Sequence, residues 1–305
     1  GIYRSVWLHM ASAVSAAPHG IRAVTAALDG SSAVVEVSTA LTGTADSVTY
    51  ELADAEGQVL ATAEGLGTVQ LAANGITPWT PETPALYTLR VTVTANGTAD
   101  TTEQRIGIRT IQVSSKTGLL LNGQPRTMKG GCIHHDLGIL GAADHAAAER
   151  RRIRLMKESG FDAIRAAHNP FGPAFLDACD ELGMLVVEEA FDEWVMGRTS
   201  FGLHVTFEQC WEKDLEDMIT RDYNHPCIVM WSTGNEVEER DGTADGFAWA
   251  KRIADKVRSL DASRPVSATA CALFSEYGNR PAGGTTGNQA LNMAYDTFAE
   301  GRDIW

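Results

Sequence analysis

The sequence has no run of about 18 apolar residues, the length a membrane-crossing helix needs, so no membrane span is expected in it. It also has no Cys-x-x-Cys pair. The five cysteines, Cys132, Cys179, Cys210, Cys227 and Cys271, stand far apart, which argues against a structural zinc site. An odd number spread over predicted strands and helices fits buried, reduced thiols and points to a cytoplasmic setting. Basic residues are scarce, 25 against 39 acidic for a net charge of −14. That balance repels phosphate backbones and anionic membrane surfaces, so neither nucleic acid nor a membrane is an expected partner. Gly1-Ile2-Tyr3-Arg4 lacks the charged and apolar regions of a signal peptide. No glycine-rich phosphate loop follows the first strand of the mixed region described below, which argues against a nucleotide-binding sheet.

What is present changes texture near residue 110. Residues 12–110 are rich in Val, Thr, Ala and Gly. Ala33–Thr39, Ser47–Leu52 and Tyr87–Val93 alternate at period two, and Asp29-Gly30, Glu56-Gly57, Asn74-Gly75 and Asn96-Gly97 mark turns between such runs. About seven short strands in roughly 100 residues predict an immunoglobulin-like β-sandwich. Beyond residue 110 apolar runs recur at Ala163-Ile164, Met184–Val187, Ile228–Trp231 and Pro265-Val266, as buried parallel strands do. Helical patterns lie between them. One starts at Pro173 and stops at Gly183; another carries Trp211, Leu215 and Met218 behind a Thr206/Gln209 capping box; a third carries Phe247, Ala250, Ala254 and Val257. Alternating strand and helix implies a parallel sheet, as a barrel or a doubly wound fold.

In a β/α barrel the chemistry sits where strands end. The first apolar run ends in Cys132-Ile133-His134-His135-Asp136 and the second in Arg165-Ala166-Ala167-His168-Asn169. The third ends in Glu188-Glu189-Ala190-Phe191-Asp192-Glu193-Trp194 and the fourth in Ser232-Thr233-Gly234-Asn235-Glu236. Carboxylates, imidazoles, a guanidinium, amides and an aromatic therefore converge on one rim. Glycoside cleavage needs a carboxylic acid for the leaving oxygen, a second carboxylate, and hydrogen-bonding groups for hydroxyls. Metal-assisted hydrolysis by His and carboxylate groups uses the same residue types. His135, His145 and His225 read as structural or exposed, Glu188 and Glu189 as salt-bridge partners in the barrel mouth, and Glu238, Glu239 and Asp241 as a solvated loop.

Longer motifs narrow the choice. Trp79-Thr80-Pro81-Glu82-Thr83-Pro84-Ala85-Leu86-Tyr87-Thr88-Leu89 resembles the sandwich signature of glycoside hydrolase family 2, the β-galactosidase and β-glucuronidase family. Ile106–Ile111 and Leu121–Pro125 resemble its junction with the barrel, and Arg165–Asn169, Arg221–Ile228 and Trp231–Glu236 its barrel motifs. Gly1–Arg4 resembles the end of its sugar-binding jelly roll. The resemblance implies the last jelly-roll strand over residues 1–11, a sandwich over 12–110, and over 111–305 a TIM barrel, (β/α)8, that is incomplete after about five strands. It implies a retaining glycosidase acting on a β-linked carbohydrate, foremost a β-galactosidase, with β-glucuronidase as the alternative. Glu236 would be the proton donor and Asn235 would bind the hydroxyl beside the reacting carbon. Arg165 would steer the nucleophile, His134 and His168 would line the sugar site, and Asp192 and Trp194 would reach the substrate.

Well-known β-galactosidases of this family carry a Glu-x-His magnesium pair in the third loop. Here Glu193 is followed by Trp194 and Val195, so no cofactor is expected to be required and magnesium is doubtful. The family's nucleophile follows the seventh strand. Glu276, in Ser275-Glu276-Tyr277-Gly278, lies too soon after Glu236 for three further βα units of about 30 residues each, and reads as a false match. An open five-stranded barrel would be inactive alone and would cover its edges by further strands or by self-association into a homo-oligomer. Two rival readings are a non-catalytic carbohydrate-binding or scaffold piece and a metal-dependent hydrolase.

Overall fold

The period-two stretches fold as strands because alternation gives each one an apolar face. Val48, Tyr50 and Leu52 are buried while Thr49 is exposed, and opposite them stand Val93, Val91 and Leu89. The computed structural model describes residues 2–114, 116–241 and 243–269. Seven strands form two antiparallel sheets: β1 (Ala16–Asp29), β2 (Ser32–Leu41), β3 (Ser47–Ala53), β4 (Val59–Glu64), β5 (Val69–Ala73), β6 (Tyr87–Ala95) and β7 (Thr98–Ile106). One sheet runs β1-β2-β5 and the other β4-β3-β6-β7. Their inner faces close over Val35, Val37, Leu71, Tyr50, Leu52, Leu89 and Val91. Burying each of the larger side chains is worth about 1.5–3 kcal/mol. The β6–β7 turn is the two-residue Asn96-Gly97, both at positive φ (51° and 75°), as a tight hairpin that follows strand twist requires. Residues 2–15 form no helix or strand.

A small antiparallel sheet, β8 (Ile111–Ser114), β9 (Gly118–Leu121) and β10 (Gln124–Pro125), leads into the second region. There β11 (Gly130–Ile133), β12 (Ala163–Ala166), β13 (Leu185–Glu189), β14 (Ile228–Asn235) and β15 (Val266–Thr269) lie parallel, side by side in chain order. Between them run α1 (Ala146–Glu158), α2 (Pro173–Leu182), α3 (Phe207–Asp222) and α4 (Gly246–Leu260). This is a sandwich followed by a partial TIM barrel. Every residue of β14 is buried, and its first half, Ile228–Trp231, is an unbroken apolar run. Helix α2 begins on Pro173 and ends at Gly183 in the left-handed conformation.

The expected Thr206/Gln209 capping box is absent: Thr206 makes no side-chain cap bond. Its hydroxyl turns back to the Leu203 carbonyl (3.5 Å), because a 3-10 turn, Leu203–Val205, runs straight into the helix. The thiols also divide, Cys179 and Cys227 being buried, Cys132 exposed and Cys210 half-buried; Cys271 lies outside the described residues. No helix among the described residues is long and apolar enough to cross a membrane.

Polar contacts lock the sandwich to the barrel and hold α2 and the start of β14 in place. Trp79 is buried in the barrel core and donates its indole N–H to the Asp180 carbonyl (2.9 Å). The buried Arg109 donates to the carbonyls of Pro226 (3.0 Å) and Ile228 (2.9 Å). Burial first, and the neighbouring Arg264 second, push its pKa down to about 9. Asn224 bridges to β1 through the Ala23 N–H (3.0 Å) and the Ile21 carbonyl (2.7 Å).

Candidate active site

Parallel pairing brings the ends of β11 to β14 to one edge of the sheet, and the polar residues that follow the apolar runs gather there. Their centre is Glu189, the last residue of β13, whose side chain is wholly buried. Arg165 on β12 grips it with two prongs, Nε to Oε2 (2.9 Å) and Nη2 to Oε1 (2.9 Å). The His168 ring nitrogen Nδ1 lies 2.8 Å from Oε1, and Ser232 donates its hydroxyl to Oε2 (2.8 Å). A buried carboxylate is tolerable only with such partners. His134, exposed just past β11, meets the His168 ring edge-on at 4.9 Å between centroids.

Asn235 ends β14 and is held at both ends of its amide. Its Oδ1 accepts from Arg165 Nη2 (2.7 Å) and its Nδ2 donates to Asp192 Oδ1 (2.8 Å). Among the described residues the other N–H of Nδ2 has no partner. Glu236, next along, has its backbone in the left-handed region at φ 46°. Few side chains adopt that conformation. The Glu236 side chain is 40% exposed, and its charged neighbour is Arg198, whose Nη1 lies 3.7 Å from Oε2.

Trp194 stands apart from the other candidates. It is fully buried, with its indole N–H on the Thr233 carbonyl (2.9 Å). It packs beneath Gly234, where a Cβ would come within 2.8 Å of the indole nitrogen. Here it supports the end of β14 from below. Glu193 is also turned inward, receiving the N–H of Arg198 on Oε2 (3.0 Å) and the N–H of His204 on Oε1 (3.1 Å), with the His204 ring 3.1 Å away. Burial acts to raise its pKa, but these donors outweigh it and hold the carboxyl below its usual value. Both Glu193 oxygens are thus engaged by donors of its own loop. Among the described residues, three metal-ligating side chains come within reach of one ion only at Asp180, His225 and Cys227. There the carboxylate already serves the His225 ring (2.6 Å) and the Cys227 N–H (3.0 Å).

Other expectations resolve one by one. His135 stacks on Phe171 (4.1 Å) and His145 is exposed. Glu189 makes the expected salt bridge in the barrel mouth, whereas Glu188 accepts the Phe171 N–H and forms no salt bridge among the described residues. Glu239, expected in a solvated loop, is buried and accepts the Met196 N–H (2.5 Å). The sequence reading missed Arg198, since it lies beyond the strand end and only the loop's return brings it back. Glu276 lies outside the described residues.

A parallel sheet with carboxylates, a guanidinium, imidazoles and an amide at its C-terminal edge matches the edge where β/α-barrel enzymes carry their chemistry. Sequence comparison gives the family. The profile "Glycosyl hydrolases family 2, TIM barrel domain" matches residues 111–278, and "Glycosyl hydrolases family 2" matches residues 15–109. The chain belongs to glycoside hydrolase family 2. It is 34% identical to β-galactosidase BoGH2A of Bacteroides ovatus over 88% of this chain and 37% of that protein. It is also 34% identical to a putative β-glucuronidase of Formosa agariphila over 83% of this chain and 25% of that one. A solved family 2 member from Bacteroides cellulosilyticus superimposes with a TM-score of 0.85 at 32% identity, covering 96% of this chain and 40% of that one. The chain thus spans well under half the length of these relatives.

Proposed function

We propose that the full-length protein is a retaining β-glycosidase in which Glu236 is the acid/base. The observation that carries this reading is the Asn235–Glu236 pair at the end of β14, a clamped amide beside a part-exposed carboxyl on left-handed backbone. In the first step Glu236 gives its proton to the glycosidic oxygen while a second carboxylate, about 5 Å away, attacks the anomeric carbon. In the second step Glu236 takes a proton from the water that releases the sugar. The free N–H of Asn235 Nδ2 reads the hydroxyl next to the reacting carbon, a contact that tightens in the transition state. Arg165 and Asp192 hold that amide, and His134 and His168 line the sugar's flank. The second carboxylate comes from outside the described residues, so these residues alone do not turn over substrate. Covering the outer strands β11 and β15, by further strands or by a second copy, belongs to the same reading.

The favoured specificity is for β-galactosides, supported by the Bacteroides ovatus relative, and β-glucuronides are second, supported by the Formosa protein. The test is to incubate the full-length protein with nitrophenyl β-galactoside and β-glucuronide and follow the first-formed sugar by NMR. The β-anomer should appear first. Failure to cleave any β-glycoside would overturn the reading, and first release of the α-anomer would overturn retention.

A further inference from the structure

The loop between β13 and α3 is pinned from below. Glu193 takes the backbone N–H groups of Arg198 and His204, and Glu239 takes that of Met196. Glycines make this possible: a Cβ on Gly197 would overlap the His204 ring, and one on Gly202 the Glu193 carboxylate. Arg198 therefore starts from a fixed backbone. Its Nη2 donates to the Asp192 carbonyl and to Asp192 Oδ1, both at 2.5 Å. Because a guanidinium is planar and rigid, fixing Nη2 also fixes Nη1, 3.7 Å from Glu236 Oε2. Asp192 Oδ1 is the same atom that holds Asn235. One cation thus ties the loop to both residues of the pair.

The Glu236 carboxyl is 40% exposed and, among the described residues, has no other charged partner. At 3.7 Å the guanidinium is too far to hydrogen-bond the oxygen, yet its charge still attracts Oε2, as a carbonyl-type dipole while the acid holds its proton and as a carboxylate once the proton has left. We infer that Arg198 is a positioning residue that aims the Glu236 carboxyl at the leaving group; this rests on the acid/base reading of Glu236 above. In the step concerned, the bond from the anomeric carbon to the leaving oxygen breaks and the Glu236 proton moves to that oxygen. A misaimed carboxyl loses part of that transfer. The loss falls on leaving groups that need the proton and spares those that depart as stable anions.

The experiment measures kcat/KM of the full-length protein on the methyl and the 2,4-dinitrophenyl β-glycosides of the sugar it cleaves best. Arg198→Met should lose about 10-fold or more on the methyl glycoside and less than about 3-fold on the dinitrophenyl one. Arg198→Lys should restore most of the ratio. The ratio of the two constants on one preparation does not depend on how much enzyme is folded, so a poorly folding variant still gives an answer. Equal losses on both substrates, or a ratio unchanged from wild type, would overturn the inference while leaving the glycosidase reading in place. A wild type inert on every β-glycoside would overturn both.

Discussion

Replacing Glu188 with Gln should make the protein's stability less sensitive to alkali. Glu188 and Glu189 are neighbours on β13, and the two-residue period sends them to opposite faces. Glu189 meets Arg165, whereas Glu188 is wholly buried, with Oε1 accepting the Phe171 N–H (2.8 Å) and Oε2 unpartnered. Asp222 lies nearby but is gripped by Arg221 at 2.6 Å through both oxygens, so the proton resides on Glu188. Burial first, and the charge of Asp222 second, raise its pKa to about 8 from the ordinary 4.5. Between those two values the folded chain holds a proton that the unfolded chain has released. Stability therefore falls as pH rises through this window, by about 1.4 kcal/mol per unit and on the order of 5 kcal/mol in all. The amide cannot ionise. Its unpaired N–H groups cost about 1–3 kcal/mol, but that cost is the same at every pH. Melting temperatures of wild-type and Glu188→Gln full-length protein should be compared from pH 5 to 8.5. The difference should shift by several degrees in favour of the variant as pH rises. A difference that stays flat across the range would refute the reasoning.

Three further substitutions probe the site and its support. Asn235→Ala should lower kcat more than it raises KM; if a 2-deoxy substrate lost as much rate in the variant as in wild type, Asn235 would not be reading that hydroxyl. Arg165→Met leaves the buried Glu189 with only His168 and Ser232 and should destabilise the full-length protein by about 3 kcal/mol in urea unfolding, since breaking a buried pair strands a charge; an unchanged midpoint would contradict this. Gly183→Ala places a side chain at φ 72° and against the Pro81 carbonyl of the sandwich. It should cost about 1–3 kcal/mol and open the seam between the two regions to protease, and a cleavage pattern like wild type's would count against that packing.

Local pattern carried much of the fold because both regions obey simple periods. Alternation located β2, β3 and β6, and apolar runs located β12 to β14, since those strands are buried on both faces. Looking just past each run led to Arg165, His168, Glu189, Asn235 and Glu236, because parallel pairing must bring those ends together. What escaped depends on contacts across sequence distance. Trp194 belongs to the motif yet lies under Gly234, a direction no period reveals. Arg198 returns to Asp192 through a loop folded over Glu193, and Glu239 is drawn inward to hold Met196. The Thr206 cap fails because the preceding turn offers its hydroxyl a nearer carbonyl.

The central claim is that Glu236 moves the proton in both steps, and azide rescue of Glu236→Ala in the full-length protein tests it most directly. With a 2,4-dinitrophenyl β-glycoside the leaving group needs no acid, so the glycosyl-enzyme forms, but no base remains to activate water and it accumulates. Azide needs no base: it attacks the anomeric carbon, displaces the enzyme carboxylate and leaves as the β-glycosyl azide. The account predicts at least about a 10-fold acceleration by azide with that β-linked product, and at least about a 100-fold loss on the methyl glycoside without it. A variant that cleaves the methyl glycoside at the wild-type rate, with no response to azide, would contradict it.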